Sequence, residues 1–144
     1  MSQNKFVSLP VLQLNPSKIL LALIVVLHAI ALGCVTLLIY IPISIEIFLA
    51  ALVLLSLFYY GHYYLYLKSL KLIKYRSDGK WILGFEEKPI LVTLDKDYML
   101  TAWLIVLRFT LGESKFKSIP IFVDMLTPKV FKQLRVVLPY IPPT

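Results

Sequence analysis

The stretch "LIYIPISIEIF", residues 38–48, decides how this chain is organised. It interrupts an apolar tract running from Ile19 to Leu67, in which Glu46 is the single Asp, Glu, Lys or Arg. As one helix, that 49-residue tract would extend roughly 74 Å at about 1.5 Å per residue, against roughly 30 Å for a bilayer's hydrocarbon core. One helix is therefore excluded. Division at Pro42 gives Ile19–Tyr40 and Ile45–Leu67, each close to the roughly 20 residues of one crossing. The interruption reads as the turn of a transmembrane helical hairpin, with Glu46 in the outer headgroup region.

Composition agrees. A mean hydropathy of +0.81 with 59% hydrophobic residues is far above ordinary soluble usage. The expected class is a membrane protein: a two-helix transmembrane hairpin plus a small α+β cytoplasmic domain of about five antiparallel strands and a C-terminal helix. The expected division is a cytoplasmic N-terminal segment over 1–18, the hairpin over 19–67 and a β-rich domain over 68–144. The first apolar stretch is too long for the core of a removable signal and is followed at once by a second. A single cysteine, Cys34, excludes an intramolecular disulfide and a thiol-rich metal site.

Charge sets the expected orientation. Two basic residues, Lys5 and Lys18, precede the first span, none lies in the turn, and 13 follow from Lys68 onward. Short flanks rich in Lys and Arg stay cytoplasmic, so both termini are expected inside and the turn outside, in the periplasm of a bacterium. Lys68, Lys71, Lys74 and Arg76 follow span two as candidate membrane-surface residues. "FYYGHYYLY", residues 58–66, supplies the tyrosines that collect at headgroup level. The 13 basic against 7 acidic residues beyond the hairpin fit an anionic inner leaflet better than nucleic acid, which asks for exposed aromatics interleaved with the cations.

In the water-facing half, "YRSDGKW" (75–81) sets Asp78-Gly79 between β-prone runs, a hairpin signal because Gly accepts positive φ. "ILVTL", "YMLTAWLIVLRF" and "FKSIPIFV" follow at short spacing, giving five strand candidates in an antiparallel meander or small barrel-like sheet. Tyr98–Leu107 is too short for a third span and reads as one buried or bulged strand. In "DMLTPKVFKQLRVVL" Thr127 is the expected N-cap and Pro128 the first residue of a helix over 128–138, stopped by Pro139. Val130, Phe131, Leu134, Val137 and Leu138 recur at three- and four-residue spacing as its apolar face, with Phe131, Leu134 and Leu138 expected to be buried. Lys129, Lys132 and Arg135 fall on the other face, a candidate docking face for an acidic partner or a simply solvated one.

Catalytic signatures are absent: no phosphate-cradling Gly-rich loop, no zinc set, no catalytic residues, no cofactor and no metal are expected. Asp95 and Asp97 flank Lys96 in a turn that binds a cation or is merely solvated. His28 lies about 14 Å down the first helix, near mid-membrane. An ionisable residue there raises a proton or ligand role, against the plainer role of an interhelical polar contact.

Three features together carry a resemblance: "LNPSK" (14–18) before a span containing His28 and Ala31, an Asp-Gly hairpin followed by Trp81, and the ending "IFVDMLTPKVFKQLRVVL" (121–138). In this arrangement the chain resembles the bacterial YgfX family, also called the CptA-like membrane toxins. The family is richer in arginine in the last helix, where this chain has Lys132, Gln133 and Val137. The resemblance implies an inner-membrane protein that is not an enzyme and acts by protein–protein contact on the cytoskeletal polymers of division and cell shape. It implies pairing with a small soluble antitoxin that is also a flavinylation factor for succinate dehydrogenase. The alternative is a membrane-anchored assembly factor for respiratory enzymes. A homo-oligomer is a further expected association, nucleic acid is not.

Overall fold

The computed structural model describes residues 9–38, 40–112 and 115–141. Lys5 therefore lies outside the described residues, as do Glu113 and Ser114 of the expected "LGESK" turn. The chain divides into two compact units, Ser17–Lys68 and a second built from residues 1–16 with 69–144.

The first unit holds helices α1 (Lys18–Thr36) and α2 (Ile43–Ser69). Both are long and apolar enough to cross a membrane. Ser17 caps α1, its hydroxyl accepting from Leu20 N at 3.0 Å, which satisfies one of the orphan donors of the first turn. The first span is shorter than the expected 19–40. Thr36 Oγ1 bonds the Gly33 carbonyl at 2.9 Å, competing with the helical bond from Leu37 N to the same oxygen at 3.2 Å. Beyond it Pro42 disfavours helical backbone at Ile41. Short-range bonds replace the helix, from Leu38 N to Val35 O and from Ile41 N to Leu38 O. The Pro42 carbonyl then starts α2 by accepting from Ile45 N and Glu46 N. Glu46 sits in the first turn of α2, where a carboxylate complements the helix dipole.

In the second unit the strands are β1 (Leu12–Gln13), β2 (Leu70–Tyr75), β3 (Trp81–Phe85), β4 (Pro89–Leu94), β5 (Met99–Leu100), β6 (Leu104–Leu111) and β7 (Lys115–Phe122). All pairings among them are antiparallel. The order runs β1-β2-β3-β4-β6, with β5 and β7 also on β6. Since β7 pairs along the whole of β6, β4 and β5 share its opposite edge, β4 at Phe109–Thr110 and β5 at Ile105–Val106. The β2–β3 turn closes between Arg76 and Lys80, with Gly79 N bonding Arg76 O at 3.1 Å and Gly79 at φ 85°. Asp78 Oδ1 accepts from Lys80 N.

Two differences from the sequence reading stand out. Tyr98–Leu107 is not one strand but the hairpin β5–β6, because Thr101 folds the chain back. Its amide bonds Leu104 O at 2.9 Å, and its hydroxyl donates to Leu104 O and accepts from Leu104 N. The N-terminal segment, set apart as 1–18, also contributes β1, which pairs Leu12 with Ile73.

The core follows from period-two alternation. Ile73, Trp81, Leu83, Ile105, Leu107, Phe109, Ile119 and Ile121 are fully buried, every second residue on the concave face of a curled sheet. Helix α3 (Pro128–Val137) adds Phe131 and Leu134 to the same core, with Leu138 just beyond its end. Thr127 is the N-cap by position without a side-chain cap bond; its carbonyl accepts from Phe131 N. A short 3-10 turn over Leu138–Tyr140 replaces the last expected helical residue, with Pro139 unable to continue the helix.

Candidate functional sites

His28 is positioned by helical phase. Its Nδ1 lies 2.7 Å from the Ile24 carbonyl, one turn back, and its Nε2 lies 3.1 Å from Ser56 Oγ on α2. A carbonyl only accepts, so Nδ1 carries the proton. In the neutral ring Nε2 then accepts from the Ser56 hydroxyl. The edge of Tyr60, one turn beyond Ser56, meets the ring at 5.9 Å. A groove of about 320 Å³ adjoins the pair, lined by Leu27, His28, Ala31, Leu52, Val53 and Ser56. Sequence reasoning singled out His28 but not Ser56. The signal was present: 28 and 56 are equidistant from Pro42, the expected pivot of the hairpin.

The four basic residues are spread from the last turn of α2 along β2 to the turn that follows it. From Lys71 to Arg76 the chain rises about 17 Å at roughly 3.3 Å per residue. Lys71 pairs with Glu86 at 3.3 Å and Arg76 with Asp78 at 3.3 Å. Lys68 lies in the last turn of α2 and Lys74 is exposed on β2. The four are a ladder of separate charges, not one cluster.

Asp95 and Asp97 converge on Arg108, at 3.5 Å and 3.1 Å. The guanidinium also stacks 4.4 Å over Phe116. That geometry gives the two carboxylates a cation from the protein itself, and no group of three metal-ligating side chains forms among the described residues.

On α3, Lys129, Lys132 and Arg135 are exposed, and α3 contains no carboxylate. A shallow groove of about 270 Å³ runs along the helix past Lys129, Lys132, Gln133, Val136 and Val137. These positions recur at three and four, one stripe of the outer face. Arg135 is not among its lining residues. It lies a further 60° round from Lys132, toward the buried side. Val136, exposed in the groove, is an apolar residue outside the buried stripe and carries no signal in the periodicity that marks the core face.

These features define a small protein with two helices long and apolar enough to cross a membrane and a sheet unit with exposed basic and apolar surface. The chain matches, over residues 9–142, the family model of the membrane-bound toxin component of a toxin-antitoxin system. It belongs to that family, in agreement with the CptA-like resemblance. No curated protein matches the chain, and no solved structure matches it.

Proposed function

We propose that this protein is an inner-membrane toxin that works without catalysis, by gripping a cytosolic protein through its sheet unit, and that a small soluble antitoxin opposes it. In this reading the target is a cytoskeletal polymer of division or cell shape, and the antitoxin is an acidic flavinylation factor. The family match over residues 9–142 carries the proposal. The outer face of α3 supports it as the docking surface, because its cations have no carboxylate neighbour on the helix and flank an apolar strip. Opposite charge across such a face accelerates association and selects partners, while the apolar strip supplies affinity.

A cytoplasmic location follows in this reading from the 13 basic residues beyond the hairpin. A periplasm-active reporter fused after Thr144 is then silent, and one inserted at Pro42 active.

The test of the docking face is capture of cytosolic protein on the detergent-extracted full chain at two salt concentrations. Lys132→Glu with Arg135→Glu weakens capture most at low salt, since surface charge is screened over about 8 Å at physiological ionic strength. Undiminished, salt-insensitive capture by the charge-reversed protein sinks the α3 assignment. Capture of succinate dehydrogenase subunits in place of polymer proteins moves the reading to an assembly factor.

A further inference from the structure

The β5–β6 hairpin carries an outward apolar surface that the preceding reading leaves unused. Register puts Met99, Val106 and Pro120 in one cross-strand row. The row is on the convex face, because the alternate residues Ile105 and Leu107 are fully buried. Trp103 stands at the hairpin tip, 52% exposed, with Met99 at 49%. From Tyr98 to Leu107 there is no charged side chain.

The tip is also preorganised. Thr101 and Leu104 close it with hydrogen bonds from both the backbone and the threonine hydroxyl, and the Trp103 carbonyl accepts from Val123 N at 2.9 Å. The amides of Thr101 and Leu104 are thereby bonded, which lowers the cost of bringing the turn to a low-dielectric boundary.

We infer that this tip is an interfacial membrane anchor, with Trp103 and Met99 seated among the headgroups and upper acyl chains of the bilayer that the helices span. Two observations favour lipid over a protein partner. The patch has no charged residue to specify a protein. The turn after β7 bonds both the tip and the segment that leads in sequence into α1. Val123 bonds Trp103, Met125 O accepts from Asn15 N at 2.9 Å, and α1 begins at Lys18. From Asn15 to Lys18 the chain reaches at most about 10 Å. Trp prefers the headgroup level of a bilayer, where its ring is apolar and its N–H stays wet.

The chain has two tryptophans, and they separate cleanly: Trp81 is fully buried in the sheet core. The full-length protein is reconstituted into phosphatidylcholine–phosphatidylglycerol vesicles with and without brominated acyl chains. Brominated lipid should remove the greater part of the Trp103 emission, and Trp103→Phe should abolish the lipid-dependent loss. The remaining Trp81 emission in that variant reports that the sheet unit is folded. Aqueous acrylamide should quench the Trp103 emission in vesicles less than it quenches tryptophan free in water. Equal bromolipid quenching of both proteins, or Trp103 emission quenched by acrylamide and indifferent to bromine, overturns the anchor. The second outcome makes the same patch a water-facing docking surface for protein.

Discussion

The His28–Ser56 contact sets a quantitative test of how the hairpin is held. Interhelical hydrogen bonds in membranes are worth about 0.6 kcal/mol on average and about 1–2 kcal/mol in model peptides. The pair here is single and 3.1 Å long, which places it near 1 kcal/mol, roughly a five-fold change in helix association. His28→Leu also forfeits the edge contact with Tyr60, about 0.5–1.5 kcal/mol, so its total cost is about 1–3 kcal/mol. Ser56→Ala removes only the hydroxyl and costs about 1 kcal/mol. The double variant should then cost less than the sum of the singles by about the value of the bond. The assay is separation of α1 from α2 in mixed micelles of rising denaturing-detergent content. It is followed by energy transfer between dyes on cysteines replacing the exposed Leu21 and Leu65, in a Cys34→Ala background. A coupling of zero refutes the bond. A coupling well above about 2 kcal/mol refutes its reading as an ordinary neutral contact and points to a charged imidazole. His28→Asn should leave insertion and growth arrest intact; arrest lost at unchanged protein level would assign the ring a protonation role.

Three further perturbations address the sheet unit. Phe131→Ala, at a position 4% exposed, should destabilise that unit by about 3–5 kcal/mol, read as a lower midpoint of its thermal unfolding while the helices remain inserted; a shift of under a degree would mean α3 is not docked as described. Gly84→Ala should cost about 1–3 kcal/mol by overpacking, since a Cβ there would lie 2.9 Å from Leu72 Cβ across the β2–β3 pair. Unchanged stability would show that β2, whose register against β3 shifts between Leu70 and Leu72, relaxes freely there. Leu12→Asp puts an unpaired carboxylate at a site 1% exposed and should expose the 9–16 segment to added protease; unaltered proteolysis would remove β1 from the folded unit.

How much of this was legible in the sequence depended on the range of the forces involved. The hairpin, the Asp78-Gly79 turn and α3 are written in local terms: apolar length, a positive-φ glycine, a Pro at the first helical position with period-3.6 burial behind it. Tyr98–Leu107 failed for an equally local but subtler reason. An unbroken apolar run looks like one strand, and only the side chain of Thr101, bonding Leu104 at both its donor and acceptor, turns it into two. β1 was illegible because Leu12-Gln13 has no pattern of its own; it is a strand only because β2, some 60 residues away, leaves an edge to pair with. Candidate sites divide the same way. His28 announced itself by chemistry, whereas the carboxylates of Asp95 and Asp97 needed the register of β6 to reveal Arg108 between them.

The pairing of β1 with β2 has a consequence for topology that charge counting alone does not reach. These are neighbouring antiparallel strands, Leu12 against Ile73 and Gln13 against Leu72, and the ladder continues as Leu14 N bonds Lys71 O at 2.9 Å. Between them in sequence lie α1 and α2. The two apolar helices are thus a long insertion into what is otherwise a β-hairpin. Strands that share a ladder must lie on one side of a bilayer, so an even number of crossings is required between Leu12 and Ile73. Two helices meet that parity, and a single crossing would tear β1 from the sheet. A further hydrogen bond from Asn15 N to Met125 O ties the same segment to the turn after β7. The sheet unit is therefore gripped at both flanks of the hairpin rather than hung from one. Its folding and the hairpin's insertion are coupled through β1, and an error in either leaves Leu12 and Leu14, both buried, exposed to water.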